Sequence, residues 1–281
     1  MSRPAIAVVG SLNVDLTLRC DRLPDPGETV TGRDFSQRPG GKGANQALAA
    51  ARLGAAVRMI GRTGTDSYAE VAVRNLRAAG VDLSMVTQAA APTGIAMILV
   101  DDTGENQIVL HPGANALLDL ADIELGDGDA VICQLEIPGH AVARAARATH
   151  GRGLFCLNAA PALPIPPEAL ARADLVIVNE TEHAALPPTN ALVALTLGGH
   201  GAVLIKDGEQ LARATAPTVT AVDTVGAGDT FVAAFVVGLV EGRQPGDALQ
   251  RACLAAALTV TGEGAQSAMP TAAQVDEWEI Q

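Results

Sequence analysis

Residues 222–231 read Val-Asp-Thr-Val-Gly-Ala-Gly-Asp-Thr-Phe and run into the apolar stretch Val232–Val240. The pattern predicts a short glycine-rich turn that opens a helix, with the carboxylate of Asp229 at the helix start. Such a turn lets backbone N–H groups converge. The first turn of a helix adds N–H groups without intrahelical partners and a partial positive charge. Together they make an anion site suited to phosphate. A carboxylate beside an anion site is electrostatically unfavourable unless it has a task. The natural task is to take a proton from a hydroxyl that attacks phosphorus. Asp and Gly are also common helix-start residues, so Asp229 alone fits a plain N-terminal cap. A second glycine-rich element far upstream weighs against that plainer reading.

This element is Pro39-Gly-Gly-Lys-Gly-Ala-Asn45, again ahead of a helical pattern. It is not a Walker P-loop, because Gly43 rather than Ser or Thr follows Lys42 and the four-residue spacer is missing. No Gly-x-Gly-x-x-Gly leads from a strand into a helix, so a dinucleotide-binding fold has no support. Gly40 and Gly41 let the backbone approach a small polar ligand, and Asn45 can both donate and accept. Upstream, Ser11-Leu-Asn-Val-Asp15 sets Asn13 and Asp15 two apart, on one side of an extended segment. Amide and carboxylate pairs of this kind bind sugar hydroxyls; taken alone, the two also fit turn residues. Lys42 and Lys206 are the only lysines among 19 basic residues. A Lys kept where Arg is otherwise used fits a position that wants a compact ammonium, although composition bias also produces stray survivors.

Elements of two kinds must position these residues. Ala5–Gly10, Val57–Gly61, Asp129–Gln134, Gly153–Asn158, Leu175–Asn179 and Val203–Lys206 are short apolar runs that read as buried strands. Helical patterns follow Gly43 through Leu53 and cover Tyr68–Ala79. Two long Ala-rich helices span roughly residues 227–241 and 245–261, and Thr271–Gln281 reads as a short helix with Trp278 as a packing anchor. Strands alternating with helices imply an α/β fold, a mostly parallel central sheet with helices on both faces. Residues 14–39 and 93–112 break the rhythm with turn signals between alternating segments. They predict two antiparallel insertions that pair into a small sheet over a site as a lid, on a single domain of residues 1–281. Two ordinary surface hairpins are the plainer alternative. No internal repeat, low-complexity tract or linker is visible.

The bulk numbers narrow the function. A chain of 281 residues, 48% of them hydrophobic, supports a large core. A net charge of −12 argues against nucleic acid and anionic membranes as partners, so any field for an anionic substrate is local. Cys20, Cys133, Cys156 and Cys253 are widely spaced, which argues for reduced thiols in a cytoplasmic protein and against zinc. No secretory signal is read at the start, and the longest apolar helix is about half a membrane span.

Ser11-Leu-Asn-Val-Asp15, Gly40-Gly-Lys-Gly-Ala-Asn45, Asn179-Glu-Thr-Glu182 and Asp223-Thr-Val-Gly-Ala-Gly-Asp229 follow one another as in the ribokinase-like carbohydrate kinases. The whole chain resembles that family, with Pro26-Gly-Glu-Thr-Val30, Gln46 and Gly113-Ala-Asn115 adding to the likeness. The resemblance implies ATP-dependent phosphorylation of the 5-hydroxyl of D-ribose. Deoxyribose, fructose, a keto-sugar acid or a nucleoside are alternative acceptors, and a catalytically silent sugar-binding regulator is the alternative of another class. The resemblance implies that Asn13, Asp15, Gly41, Lys42, Asn45 and Glu136 hold the sugar and that Asp229 is the base. The N–H groups of Gly226, Ala227 and Gly228 then stabilise the transferring phosphoryl group. Asn179 and Glu182 reach Mg²⁺ through water, and Thr196, Gly198, Gly201 and Gly228 line the ATP. Asp223, with carbonyls near Val225, Thr259, Gly262 and Gly264, holds K⁺ or a similar monovalent cation. A homodimer through the lid is implied as well. Three features depart from the family pattern: Gly262-Glu263 replaces a basic pair, Ala268 replaces a common Ser, and Pro187-Pro188 interrupts a shortened segment after Glu182.

Overall fold

The computed structural model describes residues 3–120, 128–149, 151 and 153–279. In chain order the strands and α-helices are β1 (Ala5–Val9), β2 (Asn13–Arg19), β3 (Asp34–Gly40), α1 (Lys42–Arg52), β4 (Ala56–Thr63), α2 (Tyr68–Ala78), β5 (Asp82–Gln88), β6 (Gly94–Val100) and β7 (Asn106–His111). There follow β8 (Ala130–Cys133), α3 (Gly139–Ala148), β9 (Leu154–Asn158), α4 (Pro167–Arg172), β10 (Leu175–Asn179), α5 (Glu180–Ala184), β11 (Leu192–Thr196), β12 (Ala202–Lys206), β13 (Glu209–Ala214), α6 (Ala227–Val240), α7 (Pro245–Thr259) and α8 (Ala272–Glu279).

Among the described residues, nine strands form one sheet in the order β13-β12-β11-β10-β9-β8-β1-β4-β5. Its pairs are parallel from β5 to β11, and β12 and β13 close the edge antiparallel. Alternation along each strand splits the core between two faces. Ile6, Val8, Ile132, Ile177 and Leu204 pack toward α1, α6 and α7, whereas Ala7, Val9, Val131, Phe155 and Val178 pack toward α3 and α4. Helix α6 is apolar on nearly every side because it is wedged among α1, α7 and the sheet. Phe155 and Phe235 are fully buried, and truncating either to Ala costs about 3–5 kcal/mol.

The two insertions do pair. Strands β3, β2, β6 and β7 form a separate four-stranded sheet in that order, with β2 and β6 parallel and the outer pairs antiparallel. Asn13 and Asp15 stand at its root, where β2 leaves the main sheet. The segment after Glu182 is short, as the sequence indicates: α5 spans Glu180–Ala184, and the chain then returns to β11, paired parallel with β10. The edge strands β5 and β13 have no apolar signature of their own. Trp278 is 38% exposed, so α8 is anchored instead by buried Val275 and by the ion pairs of Arg251 with Asp276 and Glu279. The last two residues of the expected C-terminal helix lie outside the described residues. Among those described, no helix is long and apolar enough to cross a membrane.

Candidate active site

Helix α6 starts from Gly226, whose φ of 84° is left-handed. A Cβ there would stand 2.9 Å from Ala265 Cα, so both conformation and space require glycine. No side chain caps this end; the Ala227 N–H makes only a long bond back to the Thr224 carbonyl (3.4 Å), and those of Gly228 and Asp229 are directed out of the helix. Gly228 is exposed and Asp229, one residue further, is buried. The turn is braced from behind by Asp223, whose two oxygens accept N–H from Val225 (3.0 Å) and Gly264 (2.9 Å). The Thr259 and Thr230 hydroxyls meet at 3.0 Å between α7 and α6. Each Asp223 oxygen keeps a lone pair; of the neighbouring carbonyls, that of Val225 lies on its own turn, those of Gly262 and Gly264 lie on the turn after α7, and that of Thr259 ends that helix. An all-oxygen set of this kind fits a hard cation rather than a soft transition metal. Arg38 of β3 reaches Glu263 beside this turn at 2.8 Å.

Helix α1 starts from Gly41, also left-handed, where a Cβ would stand 2.9 Å from the Asn13 nitrogen. Its first residue, Lys42, donates its backbone N–H to Glu136 Oε2 (3.0 Å), which also accepts from the Ser11 hydroxyl (2.5 Å). Glu136 lies just beyond β8 and Ser11 just beyond β1, at the carboxyl ends of adjacent parallel strands, where ligands gather in open α/β sheets. Asn115 pins the corner before β2, accepting from the Leu12 N–H (2.9 Å) and donating to Asn13 Oδ1 (2.8 Å). The Asp15 carboxylate stands against Gly40, where a Cβ would come within 2.3 Å of it.

Asp229 receives one amide on each oxygen: Asn45 Nδ2 on Oδ2 and Gln46 Nε2 on Oδ1, both at 2.9 Å. Electrostatics ties the group together. Burial pushes the Asp229 pKa up. Lys42 and the amides of Asn45 and Gln46 pull against this, Glu136 adds to the rise, and the net direction is upward. Burial raises Asp15 to about 7, with the negative charges of Glu136 and Asp229 adding to it. Burial alone would depress the Lys42 ammonium, but Asp229, Glu136 and Glu182 outweigh it and hold it above the ordinary lysine value. Lys42 is thus the positive centre of a site with carboxylates around it.

The structure therefore brings together Asn13, Asp15, Gly41, Lys42, Asn45, Glu136 and Asp229. Asn179 and Glu182, at the end of β10, form a reciprocal capping box: Glu182 Oε2 accepts from the Asn179 N–H (2.9 Å) and Asn179 Oδ1 from the Glu182 N–H (2.8 Å). Capping and a place in the site coexist, since Glu182 is felt by Lys42. Thr196, at the end of β11, and Gly198 and Gly201, on the turn that follows, lie apart, and no hydrogen bond among the described residues joins them to the Asp229 group. Sequence reasoning gave no role to Ser11, Gln46, Asn115, Gln134, Asn158 or Gln266. The first three stand inside motifs, and Gln134 and Asn158 are polar residues at the carboxyl ends of buried strands, a signal that was available. Gln266 had none.

Residues 3–272 match the pfkB family carbohydrate kinases. Ribokinase of Bacillus subtilis (strain 168) is 39% identical over 290 residues, spanning 97% of this chain and 98% of its own. Ribokinase of Schizosaccharomyces pombe is 36% identical, over 96% of each chain. Among solved structures, ribokinase of Thermotoga maritima superposes with a TM-score of 0.90 at 33% identity, over 99% of this chain and 100% of that one. Arabidopsis thaliana ribokinase, solved with ribose and ATP, gives 0.89 at 32% identity, over 98% of both.

Proposed function

The chain belongs to the pfkB family of carbohydrate kinases, and from that premise we propose that it transfers the γ-phosphoryl group of ATP to the 5-hydroxyl of D-ribose, giving D-ribose 5-phosphate and ADP. The observation that carries this reading is the meeting of two helix starts. A buried carboxylate, Asp229, sits between the open N-terminus of α6 and the sugar-facing start of α1, where Asn45 bonds it. One side suits phosphate and the other suits a polyol.

In this mechanism Asn13, Asp15, Gly41, Lys42, Asn45 and Glu136 hold the sugar. Asp15 and Glu136 accept hydrogen bonds from sugar hydroxyls, and Lys42 keeps their charges tolerable in a low-dielectric place. Asp229 takes the proton of the 5-hydroxyl as its oxygen bonds to the γ-phosphorus and the bond to the bridging oxygen of ADP breaks. The N–H groups of Gly226, Ala227 and Gly228 receive the charge that develops on the transferring group. Thr196, Gly198 and Gly201 line the nucleotide. Asn179 and Glu182 hold, through water, the Mg²⁺ that arrives with ATP and neutralises phosphate charge. Asp223 and its neighbouring carbonyls hold K⁺ or a similar monovalent cation, which stiffens the Gly-Ala-Gly turn from behind. The small sheet closes over the sugar as a lid and excludes water, which would otherwise compete for the phosphoryl group. The same sheet joins two chains in a homodimer. Buried free cysteines suit a cytoplasmic enzyme.

The test is ADP production from Mg-ATP across a panel of free sugars and nucleosides, with and without K⁺, using Asp229→Asn as the blank. Turnover on D-ribose, strengthened by K⁺ and lost in the variant, is the expected result. Turnover on another acceptor alone would replace the substrate and keep the chemistry. No turnover on any acceptor, with ribose still bound by calorimetry, would overturn the reading in favour of a sugar-binding regulator.

A further inference from the structure

Behind Asp229 lies a chain of buried amides that the transfer chemistry does not itself use. Gln46, fully buried on α1, donates both N–H groups of its amide, to Asp229 Oδ1 (2.9 Å) and to Asn158 Oδ1 (3.0 Å). Its own Oε1 accepts from Gln134 Nε2 (2.6 Å). Asn158 in turn donates to the Ile177 carbonyl at 3.1 Å. On the other side of the carboxylate, Asn45 Oδ1 accepts from Gln266 Nε2 (3.0 Å), and Gln266 Oε1 accepts from Asn75 Nδ2 (2.9 Å). An ionised carboxylate can only accept, so the amides touching it must present nitrogen, and each amide behind must then present nitrogen to the next oxygen. Gln134, Gln46, Asn75, Gln266 and Asn45 thus each direct an N–H along the chains toward Asp229, while Asn158 lies on a side branch that accepts the second Gln46 N–H and donates onward to the Ile177 carbonyl. Gln134 bears the consequence: its Oε1 is buried with no hydrogen-bond partner among the described residues.

From this geometry we infer that Gln46 is a positioning residue for the reaction, backed by Gln134. It fixes the plane of the Asp229 carboxylate and favours its ionised, proton-accepting state. Asn45 alone holds one oxygen and leaves the carboxylate able to rotate about χ2; the second amide, on the other oxygen, removes that freedom. Gln46 is one of the groups that hold the Asp229 pKa down against burial, so its loss moves the carboxyl further upward.

The inference rests on Asp229 being the base, and the experiment separates the two claims. Gln46→Met keeps the length and removes the donor; Gln134→Met acts one step further back and removes a side chain whose Oε1 is already unpartnered, so it keeps the test alive if the first variant folds poorly. Each is assayed with D-ribose and Mg-ATP across pH 5–9, beside Asp229→Asn. For Gln46→Met, kcat falls about 10- to 100-fold at neutral pH with the D-ribose KM within about threefold, and the deficit narrows toward pH 9 as the acid limb moves up. Gln134→Met shows a smaller change of the same sign. A wild-type kcat and acid limb in both variants, with Asp229→Asn inactive, would overturn the positioning role and leave the base in place. Turnover surviving in Asp229→Asn would overturn the base, whatever the glutamines do. A uniform loss of kcat at all pH values, tracking a lowered melting temperature, would mark Gln46 as purely structural.

Discussion

Asp15 illustrates what a sugar site costs the protein that carries it. Its carboxylate is half-buried on β2, against Gly40 and within the field of Glu136 and Asp229. Burial first, then those two charges, raise its pKa to about 7 in the folded chain, far above the ordinary value of 3.8. The folded state therefore binds this proton more tightly than the unfolded state. Stability attached to it is present at low pH and is lost as pH rises from about 4 to about 7. Asp15→Asn is expected to melt higher than the wild type at pH 8 without sugar, by about 2–4 °C for each kcal/mol of relief, with the gap closing toward pH 5. Melting curves with parallel pH dependence in the two proteins would contradict this. The same titration reaches function. If ionised Asp15 accepts sugar hydroxyls, the D-ribose KM rises about tenfold between pH 8 and pH 6. Asp229 is read differently, because its loss removes a step rather than a contact. Asp229→Asn is expected to lower kcat by about 10²–10⁴-fold with sugar affinity largely kept in calorimetry, and near-normal turnover would sink its role as base.

At the level of elements, the start of α6 is the most demanding piece. Gly226 is left-handed and its Cα faces Ala265 with no room for a methyl group. Gly226→Ala brings about 1–3 kcal/mol of backbone strain and displaces the N–H groups aimed at the phosphoryl group. The expected outcome is a melting point lower by several degrees together with a kcat loss of about 10²-fold; full activity with only the stability loss would show that this turn binds nothing in the transition state. Elements with a buried, periodic face were legible before the structure was in hand. Strands β1, β4, β8, β9, β10 and β12 and helices α1, α2, α6 and α7 came within one or two residues of their observed bounds, whereas β11 went unread. The paired insertions were legible from their turn signals. Strand β5 is only half buried, and β13, reading Glu-Gln-Leu-Ala-Arg-Ala, exposes four of its six residues. Neither carries an apolar run because each packs at an edge. The hairpin into β13 did have a signal, the Asp207-Gly208 pair with φ of 52° and 82°, which marks a two-residue turn. The site was legible where its residues share a motif, as Lys42 and Asn45 do. It was not legible where a residue joins the site only in space, as Gln266 does through Asn45, since a hydrogen bond between distant amides leaves no periodic mark on the chain.

The whole molecule carries a net charge of −12, yet the reaction proposed for it brings a polyanion to a cluster of carboxylates. Local fields must therefore dominate, and they are short-ranged in physiological salt, about 8 Å. Lys42 acts on Asp229 at that range, and in the proposed reaction closure therefore matters more than long-range steering. The proposed closure falls to the small sheet, which has an uncovered edge. Every residue of β7 is exposed, Ile108, Val109 and Leu110 among them, and β7 is an open edge. Pairing sets Asp15, Ala96 and Leu110 side by side, and likewise Thr17, Ile98 and Ile108, so the face that bears Asp15 continues outward as an apolar strip. A second copy of the chain is the proposed cover for that strip, and the cover would hold the lid over the sugar. Ile108→Glu places a charge on the strip about two residues beyond the sugar-facing row. It is expected to give a monomer in sedimentation velocity and the wild type the proposed dimer, and to raise the D-ribose KM severalfold with kcat at saturation little changed. A variant that sediments with the wild type would remove the strip from the interface. A monomer with an unchanged KM would keep the interface and free the lid from any dependence on it.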